Sequence, residues 1–120
     1  MEVYNIDASQ TLLTGYSMGG KGTWYLAARH QDLFKAALPI AGLPEADSGS
    51  TDWRIPIYVI HGALDRVIPL EPNREVVDQL KSSGRSIELI VLDNVGHYDI
   101  PQYRPHLAAT VPWLIAAWGK

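Results

Sequence analysis

Short apolar segments of two kinds alternate along the chain of 120 residues, and this alternation is what most restricts its fold. Runs rich in β-branched residues that stop at a glycine or a loop are typical of strands, and apolar residues spaced three and four apart are typical of helices. The order is strand, helix, strand, loop, strand, helix, strand, helix. Because crossovers between parallel strands are right-handed, this order predicts an α/β domain over residues 1–120, with a mostly parallel sheet of about four strands and helices on both faces.

The predicted elements have the following bounds. The strands are short apolar runs at residues 11–16, 36–40, 56–60 and 86–92. The helices span about residues 19–30, a segment that begins near Pro72 and is ended by residues 82–84, and about residues 111–118. Proline is tolerated in a first helical turn, and serine and glycine end helices. We expect a surface loop over residues 41–55 and irregular structure over residues 100–110.

Composition argues against several classes of partner and cofactor. The net charge is −3 and the ten basic residues are scattered, so no stripe exists that could neutralise a nucleic acid backbone. No apolar run approaches the ~20 residues that span a bilayer, and residues 1–10 lack a basic-then-apolar leader, so the chain as given is expected to be soluble and cytoplasmic. It has no cysteine and no metal-ligand spacing of His, Asp and Glu, so no metal and no cofactor are predicted.

Residues 15–19 have the pattern G-x-S-x-G and lie between a predicted strand and a predicted helix. Such a turn holds Ser17 in a strained conformation and projects its hydroxyl above the sheet. The Met18 N–H, at the start of the helix, is placed to donate to an oxyanion that develops beside Ser17. The pattern also fits a glycine-rich helix start that packs closely on a strand.

A serine hydroxyl becomes a good nucleophile only beside a base that a carboxylate orients. Asp65 and His97 each follow the carboxyl end of a predicted strand, and carboxyl ends of parallel strands share one edge of a sheet. Asp99 is a rival to Asp65, but side chains two apart in a loop generally point apart. Other polar and aromatic candidates are given structural roles: Asp93 as a strand end, His30 and His106 as solvated, and Trp24, Tyr25, Trp113 and Trp118 as core, the alternative for these aromatic side chains being the lining of a substrate pocket.

The segments GYSMGGKGTW, HGALDRVIP and NVGHYD resemble the nucleophile, acid and histidine segments of α/β-hydrolase esterases. The phospholipase/carboxylesterase, feruloyl esterase and polyhydroxybutyrate depolymerase-like group is the most similar, and the resemblance covers essentially the whole chain. It implies hydrolysis of a small-molecule ester through an acyl-enzyme, with Ser17 as nucleophile, His97 as general base and acid, and Asp65 as orienting carboxylate. It also implies that His61, which lies next to a strand end, is a turn residue and not a catalytic one. A peptidase or thioesterase could use the same triad, and a non-catalytic fragment or assembly module could retain it.

One departure from that group leads to two further expectations. Its members place several strands and helices before the nucleophile strand, including a loop that gives a second oxyanion N–H, whereas sixteen residues precede Ser17 here. We therefore expect a truncated α/β-hydrolase fold with modest activity as a monomer. The strand from Thr11 to Tyr16 is central in the family, and its bare edge here predicts a homo-oligomer, most simply a two-fold dimer that pairs along this strand.

Overall fold

Strands and helices alternate in the computed structural model, which describes residues 12–109 and residue 112. Within these residues the elements are, in chain order, β1 (Leu12–Tyr16), α1 (Met18–Arg29), β2 (Ala36–Ile40), β3 (Ile57–Gly62), α2 (Glu71–Ser82), β4 (Ile87–Leu92) and α3 (Ile100–Ala109). Single turns of 3₁₀-helix occur at Gln31–Leu33 and Ser48–Ser50.

All four strands are parallel and lie in the order β1-β2-β3-β4, so each strand is added beside the one before it in the chain. The register places Leu12 opposite Ala36 and Ile57 opposite Ile87. Strands β2 and β3 are buried along their whole length, as expected for central strands covered on both faces. The predicted α/β fold with a four-stranded parallel sheet is confirmed, and its carboxyl ends form one edge.

Helices cover the two faces of the sheet. On one face, Trp24 of α1 and Leu80 of α2 pack with Ile57 and Val59 of β3 in a buried apolar cluster. On the other face, Tyr103 of α3 packs in a second cluster that includes Ile60. Because the side chains of β3 alternate between these clusters, both faces of the central strand are removed from water. The prediction of helices on both faces is confirmed.

The expectation of irregular structure over residues 100–110 is wrong, because α3 spans Ile100–Ala109. Pro101 stands in the first turn, where its missing N–H has no intrahelical partner to lose. Pro105 lies inside the helix and does remove a backbone donor. Tyr103 is buried at 2% exposure, and its packing compensates for this loss. The helix predicted over residues 111–118 lies outside the described residues, apart from residue 112.

The segment over residues 41–55 is more than a surface loop. Ala41 and Trp53 are buried, and the Trp53 indole N–H donates to the carbonyl of Ser48 at 2.9 Å. The Trp53 ring also meets the edge of Trp24, with 5.9 Å between ring centroids. This connection therefore closes one end of the core, which its content of Gly, Pro, Ser and Asp did not indicate.

Candidate active site

A strained turn joins β1 to α1 and carries Ser17. Its backbone has φ 60° and ψ −114°, in the half of conformational space that residues other than glycine rarely occupy. The Ser17 N–H donates to the carbonyl of Ile40 at 2.9 Å and thereby ties the turn to the end of β2. A Cβ on Gly15 would lie 2.2 Å from the Gly19 carbonyl oxygen, so the turn can close only with glycine there.

A second glycine lets α1 approach the sheet closely. A Cβ on Gly20 would lie 2.6 Å from the Ile40 carbonyl oxygen and 2.9 Å from the Cα of Gly42. Gly22, on the same helix, has no atom within 4 Å of such a Cβ. The close approach at Gly20 brings the amino end of α1 against the carboxyl end of β2, where Ser17 is held.

The carboxylate of Asp65 is buried in the turn that follows β3. Its Oδ1 accepts hydrogen bonds from the backbone N–H groups of Val67 at 2.9 Å and Ile68 at 2.8 Å. Its Oδ2 lies 2.7 Å from Nδ1 of His97. Because an ionised carboxylate only accepts, Nδ1 of His97 carries the hydrogen in this pair. Both oxygens of Asp65 are therefore engaged and its plane is fixed.

His97 connects this carboxylate to Ser17. Its Nε2 lies 2.7 Å from Oγ of Ser17, across 80 residues of chain. With the hydrogen on Nδ1, Nε2 of the neutral imidazole accepts from the serine hydroxyl. His97 is 5% exposed, so water hardly competes for these bonds. The three residues singled out from the sequence lie together, and a proton on Ser17 has a direct path to His97.

Aromatic rings surround the imidazole of His97. The Tyr16 ring stacks on it with 5.4 Å between centroids, and the Tyr98 ring meets it edge-on at 5.0 Å. Tyr103 packs edge-on against Tyr16, and its hydroxyl oxygen accepts from the Gly62 N–H at 3.2 Å. Burial raises the pKa of Tyr103 to about 12, and burial also raises the pKa of Tyr16. Both phenols therefore stay neutral near pH 7, and the rings hold the imidazole without adding charge.

Met18 is the first residue of α1. The N–H groups in the first turn of a helix have no carbonyl partner within that helix, and the helix dipole adds partial positive charge there. The Met18 N–H belongs to this set and directly follows Ser17. N–H groups of this kind bind anions, such as the oxyanion of a carbonyl group whose carbon is bonded to Ser17 Oγ.

The rival acid and the remaining histidines have other surroundings. Asp99 is exposed, and its carboxylate accepts from the Gly96 N–H at 2.8 Å within its own loop. His61 lies in β3 and is fully buried, so the interpretation as a turn residue is wrong. His30 is exposed and His106 is partly exposed in α3.

The other residues considered from the sequence divide between core and surface. Asp93 is exposed directly after β4, where a strand end was expected. Trp24 is core, as interpreted, whereas Tyr25 is 45% exposed and lies under the guanidinium of Arg29, 3.7 Å from its ring centroid. Trp113 and Trp118 lie outside the described residues.

Two findings concern metals and membranes. In the part of the chain that the structure describes, no three His, Asp or Glu side chains are grouped so that they could hold a metal ion. Among the same residues, no helix has both the length and the apolar character that crossing a membrane requires.

Comparison with known proteins identifies the family. A family model described as the dienelactone hydrolase family matches residues 2–109. The chain belongs to the dienelactone hydrolase family. This membership agrees with the resemblance of residues 15–24, 61–69 and 94–99 to α/β-hydrolase esterases, which is confirmed at the level of the superfamily.

Two curated relatives illustrate the likeness in sequence. A protein of Escherichia coli O157:H7, provisionally named carboxymethylenebutenolidase, is 30% identical over 109 residues, which cover 82% of this chain and 40% of the relative. Cutinase est1 of Thermobifida alba is 32% identical over 93 residues, which cover 78% of this chain and 31% of the relative. The chain thus spans less than half the length of these curated relatives.

A solved structure shows the same arrangement of the backbone. The crystal structure of a thermostable esterase superposes with a TM-score of 0.75 and 31% sequence identity. The superposition covers 94% of this chain and 32% of that one. The parallel sheet and its helices therefore correspond to part of a larger esterase fold.

Proposed function

We propose that this chain hydrolyses carboxylic esters, with Ser17 as nucleophile, His97 as general base and acid, and Asp65 as the carboxylate that orients His97. The observation that carries the proposal is the unbroken series of two 2.7 Å hydrogen bonds from Ser17 Oγ through the imidazole to Asp65. Membership of the dienelactone hydrolase family and likeness to an esterase support the same reaction class.

In the first half of the reaction, Ser17 Oγ attacks the carbonyl carbon of the ester while Nε2 of His97 takes the hydroxyl proton. The imidazolium that results is stabilised by the buried carboxylate of Asp65. The tetrahedral intermediate carries its negative charge on the former carbonyl oxygen, beside the N–H of Met18. When the intermediate collapses, Nε2 of His97 gives the proton to the leaving alkoxide, and the acyl group remains on Ser17.

In the second half, water replaces the alcohol. His97 takes a proton from the water molecule as it attacks the acyl-enzyme, and returns that proton to Oγ of Ser17 when the carboxylic acid leaves. The same residues thus act twice, with the roles of acid and base exchanged between the two halves.

The experiment that tests this proposal is turnover of a chromogenic short-chain ester by the chain and its Ser17→Ala variant. We expect the variant to fall to background, because the hydroxyl that forms the acyl-enzyme is gone. A phosphonate should also add covalently to the chain and not to the variant. Ser50→Ala is the matched control, because it removes an exposed serine hydroxyl remote in sequence from β1 and α1. Turnover that persists in Ser17→Ala would exclude the nucleophile assignment.

We also propose that β1 pairs with the β1 strand of a second copy. Within residues 12–109, β1 pairs with β2 on one side, and none of these residues forms a strand along its other side, where a further strand could pair with its N–H and C=O groups. A two-fold axis through this edge would join two four-stranded sheets with an antiparallel central pair.

A further inference from the structure

His61 is a buried histidine next to the proposed triad, and its neighbours determine which nitrogen carries the hydrogen. Nε2 lies 2.7 Å from the carbonyl oxygen of Ile68, which can only accept, so Nε2 is protonated. Nδ1 lies 2.9 Å from Nδ2 of Asn73. That amide nitrogen also lies 2.8 Å from the Gly42 carbonyl oxygen, so it donates to both and Nδ1 of His61 accepts. His61 is thus a neutral imidazole with one defined tautomer.

Ile68 forms hydrogen bonds with both His61 and Asp65. The Ile68 N–H donates to Oδ1 of Asp65 at 2.8 Å, while the Ile68 carbonyl accepts from His61. The His61 side chain therefore fixes the position of Ile68, and through it the plane of the carboxylate. Nε2 of His61 also lies 3.4 Å from Oδ2 of Asp65, the same oxygen that accepts from His97.

Asn73 extends this connection toward the nucleophile. It lies in the first turn of α2, is fully buried, and joins His61 to the Gly42 carbonyl. Gly42 in turn packs against α1 so closely that a Cβ on it would lie 2.4 Å from the carbonyl carbon of Gly20. The buried amide and imidazole thus link the turn that carries Asp65 to the amino end of the helix that follows Ser17.

We propose that His61 and Asn73 are positioning residues of the active site, which hold the Asp65 carboxylate in the orientation that accepts from His97. This inference rests on the proposed function, because it requires that Asp65 orients His97. It assigns His61 to the support of Asp65 and not to contact with the ester. Nothing in the hydrogen-bond pattern requires a positive charge on His61, and burial lowers its pKa. A neutral His61 leaves the negative charge of Asp65 available to stabilise the imidazolium of His97.

The substitutions His61→Gln and His61→Asn separate positioning from simple packing. The glutamine side chain is long enough to bring an amide N–H to the Ile68 carbonyl, as Nε2 of histidine does. The asparagine side chain is one methylene shorter, so it can meet Asn73 but cannot reach Ile68. Both variants are polar and both leave Ser17, His97 and Asp65 unchanged. Gln31→Leu is the control for loss of a buried amide, since its Nε2 donates to the Asp52 carbonyl in a connection before β3.

We expect His61→Asn to lower kcat on a chromogenic short-chain ester by about 10- to 100-fold, the loss that a small misplacement of a catalytic group causes. KM should change little, because His61 does not contact the ester. His61→Gln should recover most of kcat, and Gln31→Leu should keep it. The proton of the His97 Nδ1–H···Asp65 hydrogen bond, observed far downfield by ¹H NMR, should shift or disappear in His61→Asn and return in His61→Gln.

Two outcomes distinguish the failure of this inference from the failure of the proposed function. If the unsubstituted chain shows turnover that depends on Ser17, and the two His61 variants have equal kcat and the same downfield proton, the positioning inference is wrong and the esterase proposal stands. If the unsubstituted chain shows no such turnover, the esterase proposal is wrong. The downfield proton then still decides whether His61 orients Asp65, because it is observed without substrate.

Discussion

Exchange of Asp65 for asparagine is the sharpest perturbation of the proposed mechanism, because it keeps the shape of the side chain and reverses one hydrogen bond. Oδ1 of Asp65 faces two backbone donors, the N–H groups of Val67 and Ile68. In the Asp65→Asn variant the amide oxygen would therefore stay on that side, and the amide NH₂ would face Nδ1 of His97. Nδ1 must then accept, so the hydrogen moves to Nε2, which points at Ser17 and can no longer take its proton.

The hydrogen bonds at this position also determine how much free energy the variant would need to turn its amide group over. Turning the amide over would restore an acceptor for His97 but leave the two backbone N–H groups without one. At roughly 1 to 3 kcal/mol for each fully buried unpaired donor, and with these two donors in a part-buried turn, the turned form lies up to about 6 kcal/mol higher. The corresponding exchange in the general Ser-His-Asp template lowers kcat by ~10⁴, or about 5.4 kcal/mol, which falls within that range. We expect a loss of about 10⁴ in Asp65→Asn.

The assay compares three variants on one chromogenic ester. Ser17→Ala and His97→Ala should fall to near background, whereas Asp65→Asn should keep measurable residual activity because it retains nucleophile and base. Circular dichroism and a urea titration of Asp65→Asn should show a folded protein, since the two backbone donors keep their acceptor. An Asp65→Asn variant that is folded and within tenfold of full kcat would refute the role of Asp65.

Three further predictions concern packing, pH and assembly. Gly20→Ala should destabilise the fold by about 1 to 3 kcal/mol in urea titrations because its Cβ meets the Ile40 carbonyl, whereas Gly22→Ala, with open space on the same helix, should stabilise it by up to about 1 kcal/mol; equal effects would contradict the packing at α1. Burial lowers the pKa of His61 from 6.5, so the unfolded chain binds a proton that the folded chain does not as pH falls below 6.5. The free energy of unfolding should then fall by up to about 1.4 kcal/mol per pH unit, and less steeply in His61→Gln; parallel curves for the two proteins would count against this. Sedimentation at micromolar concentration should give a mass above 13.3 kDa if β1 pairs with a second copy, and a stable monomer with this edge exposed would refute the pairing.

Much of the fold followed from local patterns, because each strand is a short apolar run bounded by a turn signal. The strand predicted over residues 56–60 differs from β3 by one residue at its start and two at its end. The two additional residues at its end include His61. Because histidine is polar, a prediction from residue type places it outside a buried strand. Its burial depends on Asn73 and Ile68, and a hydrogen-bond network formed by residues distant in sequence leaves no local pattern.

Prolines explain the missed helix. A prediction from local sequence alone would break the helix at Pro101 and Pro105. Pro101, however, lies in the first turn, where helices accept proline, and the burial of Tyr103 outweighs the hydrogen bond lost at Pro105. The proximity of the three candidate residues was easier to predict than this helix. Ser17, Asp65 and His97 each follow a strand of a parallel sheet, so the topology alone brings them to one edge.

Because the four strands lie side by side in chain order, an error in strand register would break the hydrogen bonds among the three candidate residues. Ser17 follows the first strand of the sheet, Asp65 the third and His97 the fourth, so their hydrogen bonds span its full width. A slip of one residue between neighbouring strands shifts them by about 3.3 Å and turns every side chain of the slipped strand to the opposite face. A 2.7 Å contact cannot survive that displacement. Reaction of Ser17 with a phosphonate would therefore count the molecules whose strands are all in native register, and would distinguish them from molecules that are merely collapsed.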